Sequence, residues 1–341
     1  MQSDFSGKTV LVTGGTGSFG DVVVRRLLER NCRDIRVFSR DEAKQYLMRL
    51  KICDQRVSFH LGDVRDRTSV DMAMRGVNLV FHAAALKQVP NCESFPDQAV
   101  LTNVIGSQNV IRSAITHNVE RVVCLSTDKA VYPVNAMGMT KALMEKTAQA
   151  EARRIAREGA KKFTTICVVR YGNVLCSRGS VVPVFIEQIL AHRNITITVP
   201  AMTRFLIRLE EAVDLVETAL NHGEQGDTFV RKSPACTIEN LALAVQAVFS
   251  SNAPIDILGA RPGEKMHETL ATAEEMKFAR ELGDAWRIPL DPSDMIDPVV
   301  GNKTPYSGQD YRSDNTRQLE LSEVVEVLAG LPEVQVLLKN R

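Results

Sequence analysis

The chain has 341 residues, 42 of them Lys or Arg and 41 Asp or Glu, for a net charge of +1. That balance gives no global electrostatic pull toward nucleic acid or an anionic membrane surface. A composition of 44% hydrophobic and 24% charged residues belongs to a globular chain and excludes disorder. No apolar run reaches the roughly 20 residues of a membrane-spanning helix, and the polar residues 1–8 do not read as a signal peptide.

Residues 8–13 (KTVLVT) predict a buried parallel strand. Residues 14–20 (GGTGSFG) follow at once, and Val23, Val24, Leu27 and Leu28 then recur at helical spacing. Strand, glycine turn and helix in this order form a dinucleotide site. Gly14 permits the tight turn, Gly17 admits a pyrophosphate, and Gly20 lets the helix pack on the strand. Thr13, Ser18 and Phe19 flank these glycines, and the N–H groups opening the helix face the phosphates. A second strand over residues 35–38 ends in Ser39 and Arg40, where an NAD site usually carries an acid for the ribose. A hydroxyl and a guanidinium suit a 2′-phosphate instead, with Lys44 assisting, so the expected cofactor is NADP. The competing arrangement is a solvated Arg40 with Asp41 taking the ribose. Residues 58–61 predict a third strand, followed by Gly62, Asp63 and Val64, with Asp63 accepting from the adenine amino group. Residues 78–85 (NLVFHAAA) predict a fourth, where Ala83, Ala84 and Ala85 leave room for the cofactor. Lys87, Asn103, Ser126, Tyr171 and Asn173 are counted with the cofactor contacts.

Strands continue at residues 121–126 and 164–170 in alternation with helices. The expected fold is therefore α/β, a doubly wound parallel (Rossmann) sheet with a smaller C-terminal α/β substrate domain. The cofactor domain is expected over residues 1–172 plus about 205–235, including a helix near 210–222 and a strand near 228–231. The substrate domain takes 173–204 and 236–341. The seven cysteines are scattered and form no C-x-x-C, a pattern suited to reduced thiols in a cytoplasmic protein. Cys124 and Cys167 lie in apolar runs and read as buried thiols rather than nucleophiles. The six histidines have no metal-ligand spacing, so no metal site is expected.

Residues 126–129 (STDK) follow the fifth strand. Ligands of a doubly wound sheet bind beyond the carboxyl ends of its strands, so Ser126, Thr127, Asp128 and Lys129 should face the cleft. Met137 and Lys141 are four apart, on one face of the next helix. The bland alternative makes Asp128 and Lys129 a surface salt pair at a strand end.

The segments TGGTGSFG, GDV, HAAALK and RYGNV resemble those of the extended short-chain dehydrogenase/reductases that act on nucleotide sugars. A closer resemblance is to the inverting UDP-N-acetylglucosamine 4,6-dehydratases of capsular-polysaccharide type. It rests on residues 86–90 (LKQVP), 125–133 (LSTDKAVYP), 170–173 (RYGN), 177–180 (SRGS), 202–205 (MTRF), 261–265 (RPGEK) and 315–317 (NTR), and so spans essentially the whole chain. The wider family has Tyr-x-x-x-Lys where this chain has Met137 and Lys141, and a thioether carries no proton. The capsule branch resembles this chain in its Ser, Met and Lys. The acceptor of the C4 hydroxyl proton stays open among Thr127, Asp128, Lys141 and a water, because Tyr132 does not restore the spacing.

The resemblance implies oxidation at sugar C4 by NADP, loss of the C5 proton and C6 hydroxyl, return of hydride to C6, and reprotonation of C5 from the opposite face. It makes Asp128 the C6 acid and Lys129 the C5 base. The product would be a UDP-2-acetamido-2,6-dideoxy-4-hexulose for surface polysaccharide synthesis. Lys129 would then be partly neutral, which desolvation and the cations Lys87 and Lys141 favour, and Asp128 partly protonated, which burial favours and the same cations oppose. For the UDP-sugar, Asn173 offers hydrogen bonds, Arg178, Arg204 and Arg261 suit a diphosphate, and Glu264 suits the uridine ribose. Lys87, Val181, Val182 and Thr203 complete that set. Residues 308–317 are either a latch to a neighbouring subunit or a loop, and the resemblance implies homo-oligomers, often hexamers. Two rival readings are a UDP-hexose 4-epimerase, which needs no C5 base, and a non-catalytic NADP-binding regulator.

Overall fold

The computed structural model describes residues 5–158, 164–177, 179–290 and 308–339. Its strands in chain order are β1 (Thr9–Thr13), β2 (Asp34–Ser39), β3 (Val57–Leu61), β4 (Leu79–His82), β5 (Arg121–Leu125), β6 (Thr165–Arg170), β7 (Asn173–Val174), β8 (Ile195–Ile197), β9 (Thr203–Ile207), β10 (Thr228–Arg231), β11 (Ala235–Thr237), β12 (Ile255–Ile257), β13 (Thr269–Ala271), β14 (Arg280–Leu282), β15 (Ala285–Ile288) and β16 (Tyr311–Arg312). Among the described residues, nine form one sheet in the order β14-β15-β10-β6-β5-β4-β1-β2-β3. Every pairing from β3 through β10 in that sheet is parallel.

The order β3-β2-β1-β4-β5-β6 defines a doubly wound Rossmann sheet, with its switch point between β1 and β4. Helices cover both faces, so β1 is buried along its whole length, and this is why its sequence is an unbroken apolar run. Strand β4 stops at His82, short of the expected residues 78–85. Ala83 still donates its N–H to Thr13 (3.2 Å), after which the chain leaves the sheet and the cleft opens.

A second hydrophobic core is built from Phe185, Ile189, Ile195, Met202, Leu241, Phe249 and Leu328. The helices Val181–Leu190, Ile238–Val248 and Leu321–Ala329 supply most of it. The helix Leu209–His222 packs instead on the large sheet, through Val213, Val216 and Leu220. The expected division needs one correction. Residues 280–288, placed with the second unit by sequence, add β14 and β15 antiparallel to the large sheet, in register Thr228↔Ile288 to Arg231↔Ala285. The buried Phe229 and Val230 of β10 would otherwise sit on an open edge, which β15 closes. The tail also packs on its own chain: β16 pairs antiparallel with β13, and the buried Tyr311 hydroxyl accepts from Ser233 N–H at 2.9 Å.

Candidate active site

A cleft of about 1150 Å³ opens beyond the carboxyl ends of the parallel strands. Its first wall is the glycine turn after β1. Gly14 has φ +67, and a Cβ there would lie 2.9 Å from the Ala84 backbone, so the turn and the alanine segment meet as bare backbone. Gly20 lies behind this wall, where a Cβ would stand 2.4 Å from Gly15. Gly17 caps the helix Ser18–Glu29, and Ser18 and Phe19 bring its N-terminus to the cleft. Phe19 stacks with Tyr171 at 6.5 Å.

Ser39 ends β2 with its hydroxyl 3.1 Å from that of Thr16 and its carbonyl accepting from Gln45 (2.9 Å). Arg40 lies 3.6 Å from Asp63, which Arg65 also holds (2.6 and 2.9 Å). Asp41 caps the helix Glu42–Ile52 through Lys44 N–H and pairs with the Lys44 amine. Both cations expected beside the ribose therefore line the cleft, each with a carboxylate neighbour. Val64, Ala83, Ala84, Ala85, Lys87, Ser126 and Asn173 line it as well.

Four expected contacts support the cleft from behind and are not among its lining residues. Gly20 is one. The Thr13 hydroxyl is bonded to His82 Nδ1 at 2.7 Å. Asn103 clasps the Leu86 backbone N–H and C=O (2.8 and 3.0 Å) and the Thr140 hydroxyl (3.0 Å), so its side chain is spent on shaping the loop after β4. Thr203 is bonded to His267 and Ser313 (2.8 and 2.7 Å). Arg178 lies outside the described residues.

The far wall carries the titratable groups. After β5 the chain makes the single turn Asp128–Ala130, capped by the Thr127 hydroxyl. Thr127 Oγ1 donates to Asp128 Oδ1 at 2.8 Å. Lys129 Nζ lies 3.1 Å from Asp128 Oδ1 and 3.3 Å from Glu268 Oε1. This pair is in the cleft wall, not at the surface: the Asp128 side chain is 1% exposed and that of Glu268 4%. Burial pushes the Asp128 carboxyl above the usual carboxylate range, and repulsion from Glu268 adds to this against the pull of Lys129 and Thr127. Glu268 moves the other way. Burial opposes its ionisation, but Lys129, Arg204 and Lys265 together hold it below its ordinary value.

Lys129 corrects an expectation. Burial alone would lower its pKa, yet Asp128 and Glu268 outweigh burial and the opposing Arg204, and the amine is held above the usual lysine value. Asp128, Glu268 and Arg204 act on it most strongly, rather than Lys87 and Lys141. Lys141 donates to the Leu125 carbonyl at 2.5 Å, and burial pushes it down to about 8. Met137 packs with Cys92 and Ala99 as an apolar wall residue. The Tyr132 phenol donates to Asp310 (3.2 Å) and is not part of the lining.

Arg204 lines the cleft with Arg261, Glu264, Val181 and Val182. Its Nη1 donates to the Thr203 carbonyl (2.8 Å) and its Nε lies 3.8 Å from Glu268. The 261–265 loop docks just beyond the Asp128–Ala130 turn: Asn135 donates to the Gly263 carbonyl (3.0 Å) and Lys265 to that of Val131 (2.6 Å). Sequence reasoning missed Glu268 and Lys265. The available signal for Glu268 was an acid directly before the buried strand β13.

Nine buried side-chain atoms among the described residues lack a hydrogen-bond partner, and six of them, on Thr102, Ser126, Asp128, Asn173, Ser180 and Glu268, belong to residues lining this cleft. Buried polar atoms are rarely left unpaired, so their concentration here is that of a wall built to meet a polar ligand. A dinucleotide fits the first wall: the glycine turn brings the N-terminus of the helix Ser18–Glu29 to the cleft, and the alanines leave space against the strand ends.

Comparison with known proteins agrees with this geometry. Residues 10–289 match the family described as polysaccharide biosynthesis protein. Proteins named UDP-glucose 4-epimerase are 51% identical in Rickettsia bellii strain RML369-C and 52% identical in Rickettsia prowazekii strain Madrid E, each over 98% of this chain and 99% of the relative. Among solved structures, Pen from Bacillus thuringiensis is 36% identical, with a TM-score of 0.86 over 95% of this chain and 97% of that one. DesIV, a dTDP-glucose 4,6-dehydratase from Streptomyces venezuelae solved with NAD and TYD, matches at a TM-score of 0.69 and 21% identity, over 76% of this chain and 86% of its own. The chain belongs to the polysaccharide biosynthesis protein family. Its fold is that of the extended short-chain dehydrogenase/reductases.

Proposed function

We propose that this protein is a pyridine-nucleotide enzyme that modifies a UDP-sugar, and that its reaction is 4,6-dehydration of UDP-N-acetylglucosamine with inversion at C5. The observation that carries this reading is the Asp128–Lys129 pair in the cleft wall, the acid buried and the amine partly open, with Nζ and Oδ1 3.1 Å apart. Dehydration needs a base at C5 and an acid at C6, and a single proton shift supplies both. One N–H bond of Lys129 breaks and one O–H bond forms on Asp128, leaving a neutral amine and a carboxylic acid. Lys129 then takes the C5 proton while Asp128 gives its proton to the departing C6 oxygen. The proton released from the C4 hydroxyl on oxidation passes through Thr127, bonded to Asp128 at 2.8 Å, and replaces the one the pair gives to the departing water.

A bound nicotinamide supplies the hydride acceptor for C4 and the donor for C6. Lys141 and Tyr171 line its place, and Arg40 and Lys44 favour the 2′-phosphate of NADP. Arg261 meets the diphosphate, and the unpartnered Asn173 Oδ1 accepts from a hydroxyl of the ligand.

The second reading is a UDP-sugar 4-epimerase. It is favoured by the names of relatives 51–52% identical over nearly the whole chain. Epimerisation inverts C4 and leaves C5 untouched, so it needs only an exchange of the C4 hydroxyl proton and gives the pair no work as C5 base and C6 acid.

Incubation with UDP-N-acetylglucosamine in D2O separates the two. Dehydration gives a product lighter by one water with deuterium at C5, and Lys129→Ala abolishes both. An isomer of unchanged mass with C5–H retained overturns the dehydratase reading in favour of the epimerase.

A further inference from the structure

We infer that Glu268 is a positioning residue for the Asp128–Lys129 pair, set in place by Ser313 of the C-terminal tail. The inference rests on the dehydratase reading. Glu268 Oε1 lies 3.3 Å from Lys129 Nζ, while Asp128 Oδ1 approaches the same amine at 3.1 Å. The amine is thus bracketed by two carboxylates, and its direction is fixed whether it carries two protons or three.

Glu268 is itself bracketed by cations. Arg204 Nε lies 3.8 Å from Oε1 and Lys265 Nζ 3.9 Å from Oε2. These cations are pinned to backbone carbonyls, Arg204 to Thr203 (2.8 Å) and Lys265 to Val131 (2.6 Å). Glu268 therefore stays ionised, and the mobile proton is confined to Asp128 and Lys129. The backbone is fixed from the tail. Glu268 N–H donates to Ser313 Oγ (2.9 Å), Ser313 N–H donates to the Glu268 carbonyl (2.8 Å), and the Ser313 hydroxyl sits 2.7 Å from that of Thr203. Ser313 is fully buried. The tail acts here within one chain, as the strand that holds an acid at the site.

The charged groups facing this cluster are Asp128, Lys129, Glu268, Arg204 and Lys265. The active form carries one proton on the pair. Activity falls at low pH when the pair gains a second proton and at high pH when it loses its only one. The Glu268 anion makes both forms hold protons more tightly, so it places both limbs higher than the pair alone would.

The test is the pH profile of kcat for UDP-N-acetylglucosamine turnover, with C5 deuterium and water loss recorded on the same samples. Glu268→Gln, nearly isosteric, should lower kcat by roughly tenfold or more and move both limbs to lower pH by on the order of one unit. Glu268→Asp should restore the limbs in part. Ser313→Ala, which leaves every charge in place, should move them less and in the same direction, and it carries the test if Glu268→Gln fails to fold. If wild type gains C5 deuterium while the folded variants keep its profile and kcat, the role of Glu268 is overturned and the dehydratase reading stands. If wild type gains no C5 deuterium, both fall together.

Discussion

The turn that carries Asp128 and Lys129 is wedged against the start of the helix Ala136–Glu158, and Gly138 is the point of contact. A Cβ at position 138 would stand 2.2 Å from the Lys129 carbonyl oxygen and 3.3 Å from Pro133 Cβ. Non-bonded heavy atoms settle well beyond 3 Å, so Gly138→Ala must drive helix and turn apart by roughly 1 Å. The obstacle is backbone and cannot swing aside. The turn is tied by Ala130 N–H to the Thr127 carbonyl (3.1 Å) and Asp128 N–H to the Tyr171 carbonyl (3.3 Å), so the displacement falls on Asp128 and Lys129. Overpacking of this kind costs about 1–3 kcal/mol, partly offset by up to about 1 kcal/mol of helix propensity. A misplacement near 1 Å costs about 10²-fold in rate. We therefore expect Gly138→Ala to melt slightly lower than wild type and to lose about two orders of magnitude in kcat, read by thermal unfolding and by UDP-N-acetylglucosamine turnover. A variant with wild-type kcat would show that the wedge does not set the geometry of the pair.

Two further outcomes follow from buried and charged groups elsewhere in the cofactor half. His82 is bonded to Thr13 and Ser107, and burial pushes its pKa to about 3, against about 6.5 in an unfolded chain. Below that value the unfolded chain takes up a proton that the folded chain refuses, so stability should fall as pH drops from 6.5 toward 3, by up to about 1.4 kcal/mol per pH unit; denaturation midpoints between pH 6.5 and 4.5 should have a flatter slope in His82→Gln, and an unchanged slope would refute the assignment. Arg40→Ala should weaken NADP binding about tenfold, as expected for one charge-assisted contact, with NAD binding unchanged; equal loss for both cofactors, measured by calorimetry, would mean that Arg40 does not read the 2′-phosphate.

What could be read in the sequence was what the chain does locally. The parallel strands stand out as apolar runs because both of their faces are covered, and the glycine turn stands out because its backbone must pass close to Ala84. Other features depend on register and distant neighbours. Thr13 and Asn103 are small polar residues beside the cleft in sequence, but their side chains are claimed by His82 and by the Leu86 backbone. Tyr311 and Ser313 lie in a polar stretch that resembles a loop. They are buried because Ser233, Thr203 and Glu268 satisfy their polar atoms. Strands β14 and β15 return to the large sheet from a segment whose neighbours in sequence pack elsewhere.

Lys129 shows why electrostatics is harder to read than topology. A residue's charge state is a sum over everything within a few ångströms, so its direction depends on which groups are counted. Counting Lys87 and Lys141 as its neighbours makes Lys129 a weakened cation. The carboxylates of Asp128 and of Glu268, the latter brought in from just before β13, make it a strengthened one. The proposed chemistry survives that reversal, because the contact that stabilises the ammonium would also carry its proton to Asp128. Burial raises the proton affinity of Asp128 at the same time, which narrows the gap between the ion pair and the neutral pair. A lysine in apolar surroundings could be neutral with no partner at all. In the proposed reaction this one becomes neutral by handing its proton to Asp128, so base and acid become available together.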